Sequence, residues 1–156
     1  MLDLMEEEEY DKISVTRICS RAGLDRRTFY RNFDSKNDVL EQYIRLLGEE
    51  YISIYTVIEK PDRYTAAKVF FEFWSRHLDF IRNIKKCGLS DFIFQRFEHF
   101  TKEHTELLIG DEVRNLPLKY VFAYRIGGFW NVMVTWANDG AMMSPDEMAK
   151  IVSRIA

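Results

Sequence analysis

Residues 13–33, I-S-V-T-R-I-C-S-R-A-G-L-D-R-R-T-F-Y-R-N-F, restrict the possible folds more than any other stretch of the chain. Val15, Ile18, Cys19 and Ala22 stand at i, i+3, i+4 and i+7, one face of a helix over 15–22. Ser14 precedes it with a hydroxyl that can accept an orphan N–H. Gly23 follows, free to take the left-handed conformation that ends a helix, and the small Ala22 would let the next helix cross closely. Asp25 is the expected cap of a second helix over 26–33, with Phe29 and Phe33 turned to the core. Arg26, Arg27, Thr28, Tyr30 and Arg31 are left on or near its outer surface. Two short helices about a glycine turn, the second rich in arginine, describe a helix-turn-helix.

The residue types suit nucleic acid. A guanidinium forks onto guanine or clamps a phosphate, and Thr and Tyr hydroxyls donate to phosphate oxygens. Thr16, on the wet face of the first helix, joins the expected DNA-facing set. Ser35-Lys36-Asn37-Asp38 is a start signal for a further helix, with Asp38 placed against the dipole, and Lys36 there can reach a phosphate. Seven Lys/Arg against two Asp give residues 12–36 a charge of +5; the chain totals −3, which leaves −8 for the rest. A basic head on an acidic body confines DNA contact to the head.

This stretch, continued through D-S-K-N-D-V-L, resembles the N-terminal signature of the tetracycline-repressor (TetR) family. The matching features are the I-x-V-x-x-I opening, the A-G-L turn, T-F-Y-R-x-F and S-K-x-x-L. G-G-F-W-N-V from Gly127 and S-P-D-E-M-A from Ser144 are similar to the ligand-domain ends of short members. The resemblance implies phosphate contacts from Thr28, Tyr30 and Lys36 and base-edge contacts from Arg26, Arg27 and Arg31. Members usually have a longer first helix with a basic arm. Here Met1 falls inside that helix, which would weaken DNA affinity without changing the fold, and the acidic run Glu6 to Glu9 is expected to be a solvated helix end.

The expected fold is all-α: a DNA-binding head over residues 1–45 and a helical regulatory and dimerisation body over 46–156. Few Gly and Pro, high aromatic content and no strand-like alternation suit it. Helices are expected over 36–58, with Val39, Leu40, Tyr43, Leu46, Leu47, Tyr51 and Ile54 inward, and over 64–86, 89–108, 116–138 and 145–155. Gly88, Gly110 and Pro61 are the breaks. The 64–86 helix, apolar over much of its circumference, should be central.

Gly127 and Gly128 lie inside a long helix at a cost of about 1 kcal/mol each, for which close helix approach is a reason. With Phe129, Met133 and Trp136, and Met148, Ile151 and Ile155 of the last helix, they form the expected homodimer interface. Paired half-sites on a palindromic operator also require a twofold partner. An effector pocket for a small apolar or amphipathic molecule is expected at Trp74, His77, Phe94, Phe97 and Tyr124. No cofactor, metal site or enzyme motif is legible. Cys19 and Cys87 make no disulfide framework, and with no signal peptide or membrane span the cytoplasm is the expected location. The expected function is a ligand-responsive DNA-binding transcriptional regulator, a repressor that binds its operator as a homodimer; the alternative is a DNA-binding nucleoid or adaptor protein whose helical body recruits a protein partner.

Overall fold

The computed structural model describes residues 1–108 and 115–155, and every regular element among them is helical. The head comprises α1 (Leu2–Glu7), a 3-10 turn (Tyr10–Lys12), α2 (Val15–Ala22) and α3 (Arg26–Asn32). Its boundaries follow from local chemistry. Ser14 Oγ accepts the Arg17 N–H at 3.2 Å. Gly23 adopts φ 65°, and the N–H groups of Gly23 and Leu24 close onto the carbonyls of Ser20 and Cys19, a Schellman ending. Asp25 Oδ1 accepts the Thr28 N–H at 2.8 Å. Leu4, Met5, Tyr10, Ile13, Ile18, Cys19, Phe29 and Leu40 form the buried centre. Ala22, expected at a helix crossing, is instead exposed.

The long helix α4 (Lys36–Tyr55) starts with a full capping box: Ser35 and Asp38 each accept the other's backbone N–H. Its 20 residues span about 30 Å, three residues short of the expected end. It buries Leu40, Ile44 and Leu47 and leaves Leu46 56% exposed, so the inward stripe runs through Ile44 rather than Leu46.

The single helix expected over 64–86 is two, α5 (Arg63–Ser75) and α6 (Leu78–Lys86). No Gly or Pro marks the break. Ser75 Oγ donates to the Glu72 carbonyl, and the N–H groups of Arg76 and His77 bond three residues back, to Phe73 and Trp74. That tightened turn lets α5 lie along the last helix with Phe70, Phe71, Phe73 and Trp74 buried. It also lets α6 turn Phe80, Ile81 and Ile84 inward.

Gly88, at φ 69°, separates α6 from α7 (Ser90–Glu103) as expected. The 89–108 helix is likewise interrupted at His104, before α8 (Thr105–Leu108): the imidazole Nδ1 lies 2.9 Å from the Phe100 carbonyl and its ring stacks on Phe100. Gly110, the expected break, lies outside the described residues. The body closes with α9 (Leu118–Asn138), preceded by Pro117, and α10 (Pro145–Ile155).

Candidate nucleic-acid interface

The arginines of the head divide into two groups. On α2, Arg17 Nε lies 2.8 Å from Glu8 and Arg21 lies 2.5 Å from Glu7. The Arg21 hydrogen bond holds the Glu7 carboxyl below its usual range. The acidic run expected to be merely solvated therefore neutralises the first helix of the motif. On α3, Arg26, Arg27 and Arg31 are exposed and have no ion pair among the described residues. Arg26 lies 5.7 Å from the centre of the Tyr30 ring, whose edge meets Phe29. The positive charge left for an outside anion is thus concentrated on α3. Thr16 and Tyr30 are exposed beside it.

Two expected phosphate ligands are otherwise engaged. The Lys36 ammonium donates to the carbonyls of Tyr10 at 2.7 Å and Ile13 at 3.1 Å, and sits 4.4 Å from the centre of the Tyr10 ring. It ties α4 to the 3-10 turn rather than facing outward. The Thr28 hydroxyl donates to Asp25 Oδ2 at 3.0 Å, so it is committed to the helix cap.

The body holds a cavity of about 800 Å³ between α4, α5, α7 and α9. Trp74 and Phe97 line it as expected. The other three expected residues do not. His77 packs on Phe73 at the α5–α6 turn, where burial lowers its pKa. Phe94 packs on Trp130 and on the cluster of Val121, Phe122 and Ile126. Tyr124 is 63% exposed on the outer side of α9, its hydroxyl donating to the Ile155 carbonyl at 2.9 Å. In their place the cavity takes Tyr51, Tyr55, Phe100 and Arg125.

The expected interface also separates into two sets. Met133, Trp136 and Met148 belong to the protomer core: Met133 is fully buried, and Trp136 meets Phe71 edge-on while its Nε1 donates to the Met143 carbonyl. Phe129 turns to Phe70, 4.9 Å between ring centres. These large apolar side chains are inward because α9 packs on α6 and α7, with Phe129 and Trp136 also meeting Phe70 and Phe71 of α5. Gly127, Gly128, Ile151 and Ile155 are on the outer side, and among the described residues a Cβ at either glycine would meet nothing within 4 Å beyond its own stretch of helix.

Known proteins place this arrangement. Residues 2–43 match the family described as bacterial regulatory proteins, tetR family, and residues 62–156 match the family described as transcriptional regulator C-terminal region, itself a TetR-type body. The chain belongs to the TetR family. A solved structure from Syntrophomonas wolfei, assigned to the TetR-family transcriptional regulators, superposes with a TM-score of 0.70 at 20% identity, covering 99% of this chain and 87% of that one. At that identity the likeness speaks for the fold. No curated protein matches the chain.

This TetR-family chain is thus a DNA-binding transcriptional regulator with a helix-turn-helix head. No helix among its described residues is long and apolar enough to cross a membrane. Sequence reasoning missed the Glu7 and Glu8 pairings, because which exposed charges meet depends on how α1 lies on α2. It also missed Gly48, whose place inside α4 carries a propensity cost of about 1 kcal/mol and so was a usable signal.

Proposed function

We propose that the protein is a homodimeric, ligand-responsive repressor that binds a palindromic operator through α3 of each protomer. The division of the head arginines carries the reading. Arg17 and Arg21 are paired within the chain, whereas Arg26, Arg27 and Arg31 have no ion pair among the described residues. An α-helix fits the major groove, where arginine pairs bidentately with guanine. Arg26, Arg27 and Arg31, with Tyr30 and Thr16, are the proposed DNA contacts. Lys36 and Thr28 support them from behind by fixing the helices that carry them.

The head over residues 1–45 and the body over 46–156 share α4, so a shift of α4 in the body moves the head. The outer side of α9 and α10, with Gly127, Gly128, Ile151 and Ile155, is the proposed twofold interface. The cavity beside α4 favours a small-molecule effector over a protein partner. An effector acts only through different affinities for the DNA-bound and free arrangements.

Fluorescence anisotropy on the DNA upstream of the protein's own gene tests the reading. Sequence-preferring, salt-sensitive binding with two protomers per site is expected. Equal affinity for unrelated DNA would defeat it.

A further inference from the structure

Resting on the ligand-responsive reading above, we propose that the body cavity takes an uncharged aromatic molecule bearing a hydrogen-bond acceptor such as a ketone, its ring against the aromatic walls and its acceptor on the hydroxyls of Tyr51 and Tyr55. The cavity, about 800 Å³, falls in the range of about 300–1,000 Å³ usual for small-molecule sites. Phe70, Trp74, Phe97 and Phe129 form one connected wall. Phe70 meets Phe129 at 4.9 Å and Phe97 at 6.4 Å between ring centres, and Trp74 meets Phe97 at 6.3 Å, each edge to face. A further ring joining such a set gains more than the area it covers. Tyr51 and Tyr55 stand one turn apart on α4, with ring centres 5.7 Å apart. Neither phenol is hydrogen-bonded to another described residue. Burial raises both phenols, with the Arg125 charge opposing the shift at Tyr55, so both are protonated donors at neutral pH. A covered hydroxyl without a partner is unfavourable, and an acceptor on the ligand removes that cost. Both donors belong to the helix that carries the head, so an acceptor held there acts on α4 directly.

The other polar groups of the described wall are committed or exposed, which makes the ligand an uncharged one. Arg63 and Arg125 are each engaged within the chain. Asp62 caps α5, accepting the Thr65 N–H at 2.7 Å. The Thr101 hydroxyl donates to the Phe97 carbonyl at 2.8 Å, and that of Thr56 to the Ile52 carbonyl at 2.9 Å. Lys60 and Glu106, of opposite sign, are exposed. A charged ligand would give up its hydration with no counter-charge ready for it, a cost far above that of burying a ketone. Aromatic faces attract cations, but that attraction does not repay the hydration of an ammonium where the carboxylates of the described wall, Asp62 and Glu106, are both exposed.

The test uses the full chain without DNA. Prodan, an uncharged naphthyl ketone whose emission shifts on leaving water, reports occupancy, and its displacement ranks the competitors. 2-Acetonaphthone is compared with 2-ethylnaphthalene, which lacks the acceptor, with 2-naphthoate and 2-naphthylmethylammonium, which carry charge, and with decan-2-one, which lacks the ring. 2-Acetonaphthone should bind about fivefold tighter than 2-ethylnaphthalene or decan-2-one and about tenfold or more tighter than either ion. The Tyr51→Phe/Tyr55→Phe double variant, which keeps the rings, should bring 2-acetonaphthone down to the affinity of 2-ethylnaphthalene. Should that variant fail to fold, Tyr55→Phe alone should narrow the difference. The proposal is overturned if either ion or decan-2-one matches 2-acetonaphthone, if the ketone has no advantage over 2-ethylnaphthalene, if that advantage survives the loss of the hydroxyls, or if none of the probes binds. Anisotropy on the DNA upstream of the protein's own gene, with and without 2-acetonaphthone, tests the ligand-responsive reading separately: a DNA affinity unchanged by a ketone that fills the cavity counts against that reading and not against the ligand class.

Discussion

The ring of Phe100 lies directly over Gly48: a Cβ at residue 48 would sit 2.6 Å from the Phe100 Cζ. Here α7 of the body meets the helix that carries the DNA-binding head, at the wall of the cavity. Gly48→Ala must displace the ring, and the open space available to it is the cavity. The expected cost is about 1–2 kcal/mol, a fall in Tm of roughly 2–8 °C, together with weaker binding of cavity probes. Calorimetry and fluorescence titration check both; an unchanged Tm with unchanged probe affinity would remove this contact from the coupling.

Arg27→Ala and Arg31→Ala should each weaken operator binding by about 1–3 kcal/mol, with Tm unchanged. Arg17→Ala should do less, since Glu8 already neutralises that guanidinium. Anisotropy at two salt concentrations reads the difference. An Arg17 effect equal to that of Arg27 would mean that the division of head arginines does not govern contact.

Lys36→Met keeps the aliphatic stem but leaves the carbonyls of Tyr10 and Ile13 without their charged donor. A loss of about 1.5–3 kcal/mol is expected, the usual worth of hydrogen bonds to a charged group. Hydrogen exchange should localise the loosening to residues 10–13. If stability is unchanged and only DNA affinity falls, Lys36 is a phosphate ligand after all.

Trp136→Ala should destabilise the protomer by about 3–5 kcal/mol, as removal of a buried aromatic does, without altering the association of the protein that remains folded. Ile155→Glu, on the outer side of α10, should instead dissociate the proposed dimer with little change in protomer packing. Sedimentation velocity distinguishes the two variants, and a fully dimeric Ile155→Glu protein would place the interface elsewhere.

Burial lowers the pKa of His77, with Glu50 opposing and Arg76 reinforcing the shift. A base depressed in the folded state binds fewer protons there than when unfolded. Its contribution is therefore complete above the ordinary histidine range and declines as pH falls through it. Between pH 7 and 5 the wild type should lose more stability than His77→Phe, as measured by denaturant unfolding; parallel losses would assign the pH dependence to other groups.

The helix-turn-helix and its caps were legible in the amino-acid sequence because they depend on neighbours a few residues apart. Ser14, Gly23, Asp25, Ser35 and Asp38 each act within one turn, and the apolar spacing of Ile18 and Cys19 needs no distant partner. The family resemblance rested on the same local pattern. Packing partners were not legible in this way. Periodicity marked Met133, Trp136 and Met148 as apolar, but it could not say whether another protomer or the protomer's own core would cover them; its own core does, with Phe71 of α5 against Trp136 and α5 along the helix that carries Met148. Charge pairs followed the same rule, since Glu7 and Glu8 find Arg21 and Arg17 only once α1 lies across α2. The breaks at Ser75–His77 and His104 carry no Gly or Pro; Ser75 and His104 close them with side-chain contacts to the Glu72 and Phe100 carbonyls, which residue type alone does not announce. Short-range hydrogen bonding and periodicity thus determined the head and the helical character of the chain. The cavity, its polar side and the outer face of α9 and α10 were decided by tertiary structure, because burial belongs to how the helices assemble.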